Sequence, residues 1–177
     1  MLGRFINQWK LKRNPIKFWR SKGMQIGEEC EIYSSANFGS EPYLIKIGNN
    51  VRINSNVKCI THDGGVWVLR NLKEERKKAD IFGCISIGNN VHIGTDAIIM
   101  PGVTIGNNCI IGCGAVVTKS IPDNSVAVGV PARVIETIEE YEVKNADRFI
   151  DTKGMDRQKK AEYLKEFIEK NPDKVWK

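Results

Sequence analysis

From Ile87 onward a large aliphatic residue returns at every sixth position: Ile87, Ile93, Ile99, Ile105, Ile111 and Val117. This is neither the period of two of a half-buried strand nor the 3.6 of a helix. The same spacing stands earlier at Ile26, Ile32 and Phe38, and again at Ile47, Ile53 and Cys59, with slips of register between the three blocks. Four positions after most of these residues comes a smaller one: Cys30, Ala36, Val51, Val57, Val91, Ala97, Val103, Cys109 and Ala115. The position after the aliphatic is repeatedly glycine (Gly27, Gly39, Gly48, Gly88, Gly94, Gly106, Gly112), often followed by Asn-Asn. That chemistry suits a corner needing left-handed backbone angles.

Two inward positions per hexad and a corner every six residues predict short strands. Three strands and three corners close one triangular coil, and coils stacked at about 4.8 Å pair every backbone group with the next coil. The predicted fold is an all-β solenoid, a parallel β-helix of hexapeptide repeats over residues 26–135. Stacked aliphatic columns then give a glycine- and asparagine-rich chain a solid core.

Two flanks break the pattern. Residues 1–25 form a basic amphipathic segment in which Leu2, Phe5, Ile6 and Trp9 share a helical face, followed after Asn14-Pro15 by Ile16, Phe18 and Trp19. It reads either as an interfacial anchor for an anionic membrane surface or as a helix capping the first coil. Residues 136–177 read as a charged helical segment with Ala161, Leu164, Phe167 and Ile168 on one face, ended by Pro172 and buttressing the last coil.

The net charge of +6 changes this picture little. Residues 1–27 carry seven basic side chains and no acid, so the remainder is nearly neutral. No recognition helix, zinc finger or RNA-binding strand motif accompanies the patch, which argues against nucleic acid as a partner. The five cysteines form no CxxC pair and read as reduced thiols of a cytoplasmic protein, with Cys30 and Cys109 expected on the inward column and unreactive. The first 20 residues lack the apolar run of a signal peptide or membrane span, so the expected location is cytoplasmic, with peripheral contact at the inner membrane face as an option.

The stretch ISIGNNVHIGTDAIIMPGVTIGNNCIIGCGAVVTKSIPDNSVAVGVPARVI resembles the signature of the hexapeptide-repeat acetyltransferases, and the likeness runs from Ile26 to Ile135. It is similar to the branch holding maltose, galactoside and xenobiotic acetyltransferases and the O-acetyltransferases of capsule and lipopolysaccharide synthesis. The resemblance implies a left-handed coil, a homotrimer with active sites between subunits, and acetyl-CoA as donor without a metal.

The repeat is interrupted once by an excursion of residues 63–84, directly after Cys59-Ile60-Thr61-His62. A long loop leaving a rigid solenoid is a place for substrate contacts. Its Trp67 offers an aromatic platform among Arg70, Lys73, Arg76, Lys77 and Lys78. The resemblance makes His62 the general base, and imidazole is suited to taking a hydroxyl proton near neutral pH. Asp63 is a candidate for orienting that base or gripping the acceptor. His92 stands where many relatives carry tryptophan, and either bonds the acceptor or faces outward. By resemblance Thr95 and Cys113 contact the pantetheine arm through their backbone, while Thr118, Lys119 and Arg133 meet phosphate oxygens. A second family arginine is replaced by Glu136.

The acceptor expected from Thr61-His62-Asp63-Gly64-Gly65 is a sugar hydroxyl of a capsule, lipopolysaccharide or related glycan precursor. An amino-sugar nucleotide N-acetyltransferase and a xenobiotic O-acetyltransferase compete with it. A γ-type carbonic anhydrase needs three histidines around zinc and this chain has two. A non-catalytic hexapeptide scaffold would need neither the loop histidine nor the Thr-Lys and Arg pattern.

Overall fold

The computed structural model describes residues 2–174. The side chains of residues 2–5 and 8 lie outside that description, and with them the helical face expected from Leu2 and Phe5. The chain divides into two compact units, Met1–Ile138 and Glu139–Lys177.

The first unit opens with helices α1 (Leu2–Arg13) and α2 (Pro15–Arg20). Twelve short parallel strands follow: β1 (Gln25–Ile26), β2 (Glu31–Ile32), β3 (Ile45–Ile47), β4 (Val51–Ile53), β5 (Lys58–Cys59), β6 (Ile85–Ile87), β7 (Val91–Ile93), β8 (Ile98–Ile99), β9 (Thr104–Ile105), β10 (Cys109–Ile111), β11 (Val116–Val117) and β12 (Ser125–Val128). Between β5 and β6 the excursion contains helix α3 (Val66–Leu72). Strand β13 (Arg133–Thr137) then turns back antiparallel to β12.

The strands sort into three parallel faces, β1-β3-β6-β9, β2-β4-β7-β10-β12 and β5-β8-β11, which the chain visits in rotation. Hydrophobic stacking fixes the register. Ile26, Ile47, Ile87 and Ile105 are successive partners on the first face. Ile32, Ile53, Ile93 and Ile111 are partners on the second, and Cys59, Ile99 and Val117 on the third. All of these side chains are buried, and the smaller second set joins them in one core except for Cys30, which is only half-buried at the first coil. Each column removes apolar surface from water at roughly 25 cal/mol per Å², so a slip of one residue, which would turn the aliphatics outward, is strongly disfavoured.

The slips between hexad blocks are insertions at corners. A 3-10 turn at Pro42–Leu44 takes up the first and the α3 excursion the second. The corner ladder records the spacing: the Glu28 amide donates to Asn49 Oδ1 from 21 residues away, Asn49 to Asn89 across 40, and Asn89 to Asn107 across 18, which is three hexads.

At these corners the structure corrects the expected role of glycine. Gly48 and Gly88 do not have positive φ; the left-handed residue is the second asparagine, with φ of 53° at Asn50, 55° at Asn90 and 53° at Asn108. Asparagine tolerates this region better than most side chains. The glycine is required by close approach instead. A Cβ on Gly88 would lie 2.7 Å from the carbonyl of Gly106 in the next coil, and one on Gly48 would lie 2.6 Å from the Gly88 oxygen.

Helix α2 closes the first coil. Trp19 is buried edge-on against Phe38, with ring centroids 5.1 Å apart. Arg20 donates to the carbonyls of Ile26 and Gly27, satisfying edge groups that have no preceding coil to pair with. Asn14 caps the helix by accepting from the Lys17 amide, with Pro15 at the first helical position.

The second unit holds most of α4 (Ile138–Asn145), and α5 (Arg157–Lys170), whose amino end is capped by Asp156. The boundary expected at Ile135 falls inside β13, because that strand continues to Thr137. On α5 Leu164 and Phe167 are half-buried while Ala161 and Ile168 are exposed, so the expected apolar face is only partly covered. No helix among the described residues is long and apolar enough to cross a membrane.

Candidate active site

His62 ends the polypeptide's run along the third face, at the corner leading back to the first. The residue before it, Thr61, is fully buried, and the excursion leaves and returns through a narrow neck. His62 bridges antiparallel to Phe82, the Asp63 amide donates to the Ile81 carbonyl at 2.9 Å, and the Gly83 amide donates to the Thr61 carbonyl at 2.8 Å. The Phe82 ring meets the imidazole edge-on at 6.4 Å. A loop pinned at both ends thus holds the His62 backbone on a rigid coil.

The group at the imidazole is Glu41, which sequence reasoning missed. Its Oε2 lies 3.0 Å from His62 Nδ1 and also accepts from the Thr61 hydroxyl at 2.8 Å. The Ser40 hydroxyl, then that of Thr61, then His62, hold the Glu41 carboxyl below the usual glutamate range. An ionised carboxylate only accepts hydrogen bonds, so this contact requires the proton on Nδ1 and, in the neutral ring, leaves the Nε2 lone pair available. The only hint of Glu41 in the sequence is the first register slip, between Phe38 and Ile47, which marks an insertion one coil away from Thr61-His62 without singling out a residue.

Asp63 is placed differently. Its Oδ1 accepts from the Gly65 amide at 2.8 Å, a local turn that starts the loop ahead of α3. Trp67 is 69% exposed on α3, beside exposed Val68 and Leu72, while Val66 is buried beneath. Arg70 ties the far side of the loop by donating to the Ala79 carbonyl at 2.7 Å and pairing with Asp80.

The coenzyme-binding candidates divide between corners. Strand pairing sets Cys59, Ile99 and Val117 level, so Thr118 and Lys119 stand two coils along the same edge as Thr61 and His62, both exposed. Thr95 and Cys113 stack one coil apart on the other end of the third face, where the Gly114 amide donates to the Thr95 carbonyl at 2.8 Å. Gly94 lets these coils approach, since a Cβ there would sit 2.6 Å from the Cys113 amide nitrogen. Arg133 begins β13, exposed, with Nη1 donating to the Ala132 carbonyl.

His92 lies mid-strand on the second face, paired between Arg52 and Ile110. It belongs to a separate groove of about 300 Å³ lined also by Asn50, Asn90 and Asn108. Burial and then the Arg52 cation hold its pKa below the ordinary histidine value. Within one chain the structure therefore does not join His92, Thr95 or Cys113 to His62.

The cysteines are unpaired: Cys59 and Cys109 are buried, Cys84 and Cys113 exposed. Burial pushes the Cys59 thiol up to about 12 and raises Cys109 as well.

Comparison with known proteins places this architecture. Residues 85–119 match the family described as bacterial transferase hexapeptide (six repeats). Protein CapG of Staphylococcus aureus is 54% identical over 147 residues, 82% of this chain and 84% of that protein. The putative colanic acid biosynthesis acetyltransferase WcaB of Escherichia coli K12 is 34% identical over 73% of this chain and 82% of its own length. A solved galactoside acetyltransferase in complex with coenzyme A superposes with a TM-score of 0.50 at 28% identity, covering 80% of this chain and 82% of that one. With relatives of this identity matched over most of their length, the chain belongs to the hexapeptide-repeat acetyltransferases.

Proposed function

We propose that this protein transfers the acetyl group of acetyl-CoA to a hydroxyl of a sugar in a capsule, lipopolysaccharide or related glycan precursor, with His62 as general base. The observation that carries the reading is the 3.0 Å contact between His62 Nδ1 and Glu41, which orients a half-exposed imidazole through one ring nitrogen. In support, the galactoside enzyme it resembles acts on a molecule whose nucleophiles are hydroxyls, and WcaB bears the name of a polysaccharide pathway.

His62 Nε2 accepts the acceptor's hydroxyl proton as that oxygen bonds to the thioester carbonyl carbon. The carbon–sulfur bond breaks, and the imidazolium returns its proton to the departing thiolate. Glu41 stabilises the imidazolium and holds the tautomer, acting as a positioning residue. The bound coenzyme supplies an activated acyl group, so no enzyme nucleophile is required. Thr118, Lys119 and Arg133 offer a hydroxyl and two cations to its phosphates, and the resemblance assigns its pantetheine arm to the Thr95 and Cys113 backbones.

Thr118 and Lys119 lie on the His62 edge, whereas Arg133, which pairs with Val128 at the end of the second face, lies at the Thr95–Cys113 corner. A homotrimer that sets the Thr95–Cys113 edge of one subunit against the His62 edge of the next would complete the site, with Trp67 over the cleft and a left-handed coil as in the resembled family. His92 remains a candidate acceptor contact from that neighbouring face, and Asp63 a contact made through the loop.

A mass-spectrometric screen with acetyl-CoA and a panel of sugars, nucleotide sugars and lipid-linked glycans tests this, run beside His62→Ala. A base-labile, His62-dependent acetyl product is expected. A base-stable product means transfer to nitrogen, and undiminished turnover of His62→Ala removes the base assignment.

A further inference from the structure

The α1–α2 hairpin carries a feature that acetyl transfer does not use. On α1 the residues Ile6, Trp9, Lys10 and Arg13 stand at i, i+3, i+4 and i+7, a single stripe. Leu11 points the other way and packs against the core. The stripe is open: Ile6 is 44% and Trp9 58% exposed. Between it and α2 lies a cleft of about 560 Å³ lined by Trp9, Lys10, Arg13, Lys17 and Phe18 together with Asn14 and Ser21. The Arg13 guanidinium sits 5.1 Å from the Trp9 ring centroid and Lys22 Nζ 5.8 Å from that of Phe18.

Charge in this region is one-sided. Residues 1–27 contain no acid. Arg20 is engaged with the first coil and Glu28, whereas among the described residues no carboxylate pairs with Lys10, Arg13 or Lys17. A free anion would account for the cations but not for an indole and an isoleucine held in water beside them. Amphipathic helices with lysine and arginine flanking tryptophan partition into the headgroup layer of anionic bilayers. We infer that the α1–α2 hairpin docks this protein on the surface of an anionic phospholipid bilayer, with lipid phosphates in the Lys10–Arg13–Lys17 cleft and Trp9 and Ile6 at the acyl boundary.

Co-sedimentation of the full chain with phosphatidylcholine vesicles containing 30% phosphatidylglycerol, in ~0.1 M salt, tests this, with pure phosphatidylcholine as the comparison. The wild type pellets with the anionic vesicles and not with the neutral ones, and ~1 M salt releases it. Reversing all three cleft charges (Lys10→Glu, Arg13→Glu, Lys17→Glu) weakens partitioning roughly a hundredfold, from the roughly fivefold contributed by each basic residue near such a surface. Trp9→Ala weakens it at unchanged charge, which separates insertion from simple attraction. Unchanged thermal midpoints show that the variants fold, since these side chains are exposed. Equal pelleting of the triple variant, no pelleting of the wild type, full displacement by millimolar inorganic phosphate at constant ionic strength, or binding to a homopolymeric RNA in place of vesicles would each overturn the proposal.

Discussion

Glu41 and His62 are 21 residues apart in sequence and one coil apart in space, joined at 3.0 Å through Oε2 and Nδ1. The contact exists because the first corner insertion and the second, longer one leave the coil at neighbouring levels of one edge. Thr61 locks the pair by donating to the same oxygen.

Replacing Glu41 by Gln tests whether the carboxylate or merely its shape is needed. An amide can present its NH₂ to Nδ1, stabilising the wrong tautomer and protonating Nε2. With a correctly held base worth roughly 10²–10⁴ in rate, kcat should fall by about two orders of magnitude or more while KM for acetyl-CoA barely moves. A KM effect with kcat intact would make Glu41 a structural residue only.

The same residue predicts an acid limit. Its folded pKa is lowered, chiefly by the Ser40 and Thr61 hydroxyls, so it contributes stability that is present above the unfolded value of 4.5 and lost as pH falls through the lower folded value. Acid unfolding curves of the wild type and Glu41→Gln should converge below that window, with the wild type carrying the steeper loss. Parallel curves throughout would contradict the depressed pKa.

Glycine at the corners gives a contrast between two positions. Gly88→Ala pushes a Cβ to 2.7 Å from the Gly106 backbone, where neither coil can yield without breaking the ladder. Overpacking against backbone costs about 1–3 kcal/mol or more, and a denaturant melt should show it. Gly64→Ala has nothing within 4 Å and no positive φ, so its stability should stay within about 0.5 kcal/mol of wild type. Equal effects at both sites would remove the close-approach explanation.

The hexad register made the coil legible, because a period of six picks out the stacked inward columns with no tertiary knowledge, although it missed buried Ile45 and Ile85 at the corner insertions and counted the half-buried Cys30 as inward. The site was legible only where local sequence carries it. His62 stands at a break in the register and could be singled out, whereas Glu41 is brought to it by stacking across coils, and a slip of three residues gives no residue-level pointer. Asp63 adjoins His62 in sequence, but neighbouring residues on extended backbone point apart, and its carboxylate accepts from the Gly65 amide while Glu41 takes the place at Nδ1. The left-handed corner angle expected from Gly-Asn-Asn falls on the second asparagine, and on glycine at Gly39, while at Gly48 and Gly88 the stacked backbone makes distance the constraint.

Asp63 offers a matching pair of variants. Asn keeps an oxygen for the Gly65 amide while Ala does not, so Asp63→Asn should retain acetyl transfer and Asp63→Ala should raise the acceptor KM through a loosened loop, leaving kcat's dependence on Glu41 unchanged. Loss of kcat in the Asn variant would return the Asp63 charge to the chemistry.

Lys119 stands exposed two coils along the His62 edge, away from the core columns. Removing its ammonium by Lys119→Ala should weaken acetyl-CoA binding without altering the melt, and calorimetric titration reads it directly. A charge-assisted hydrogen bond to phosphate is worth about 1.5–3 kcal/mol, which is roughly a ten- to hundredfold rise in Kd. Unchanged affinity would place the phosphates elsewhere.

Cys59 ties chemistry to the core. It fills the third-face column beneath Ile99, and burial pushes its thiol up to about 12 from 9.0. A folded pKa above the unfolded one contributes stability that is complete below pH 9.0 and declines as pH rises from there toward 12. Cys59→Val matches the apolar character of Val117 in the same column and abolishes the titration, so its midpoint should fall less than that of the wild type across the alkaline window. Thiol labelling at neutral pH supplies the independent check: Cys84 and Cys113 should modify in the native protein and Cys59 and Cys109 only after unfolding. Rapid native labelling of Cys59 would mean that the coil opens far more readily than its stacked columns allow.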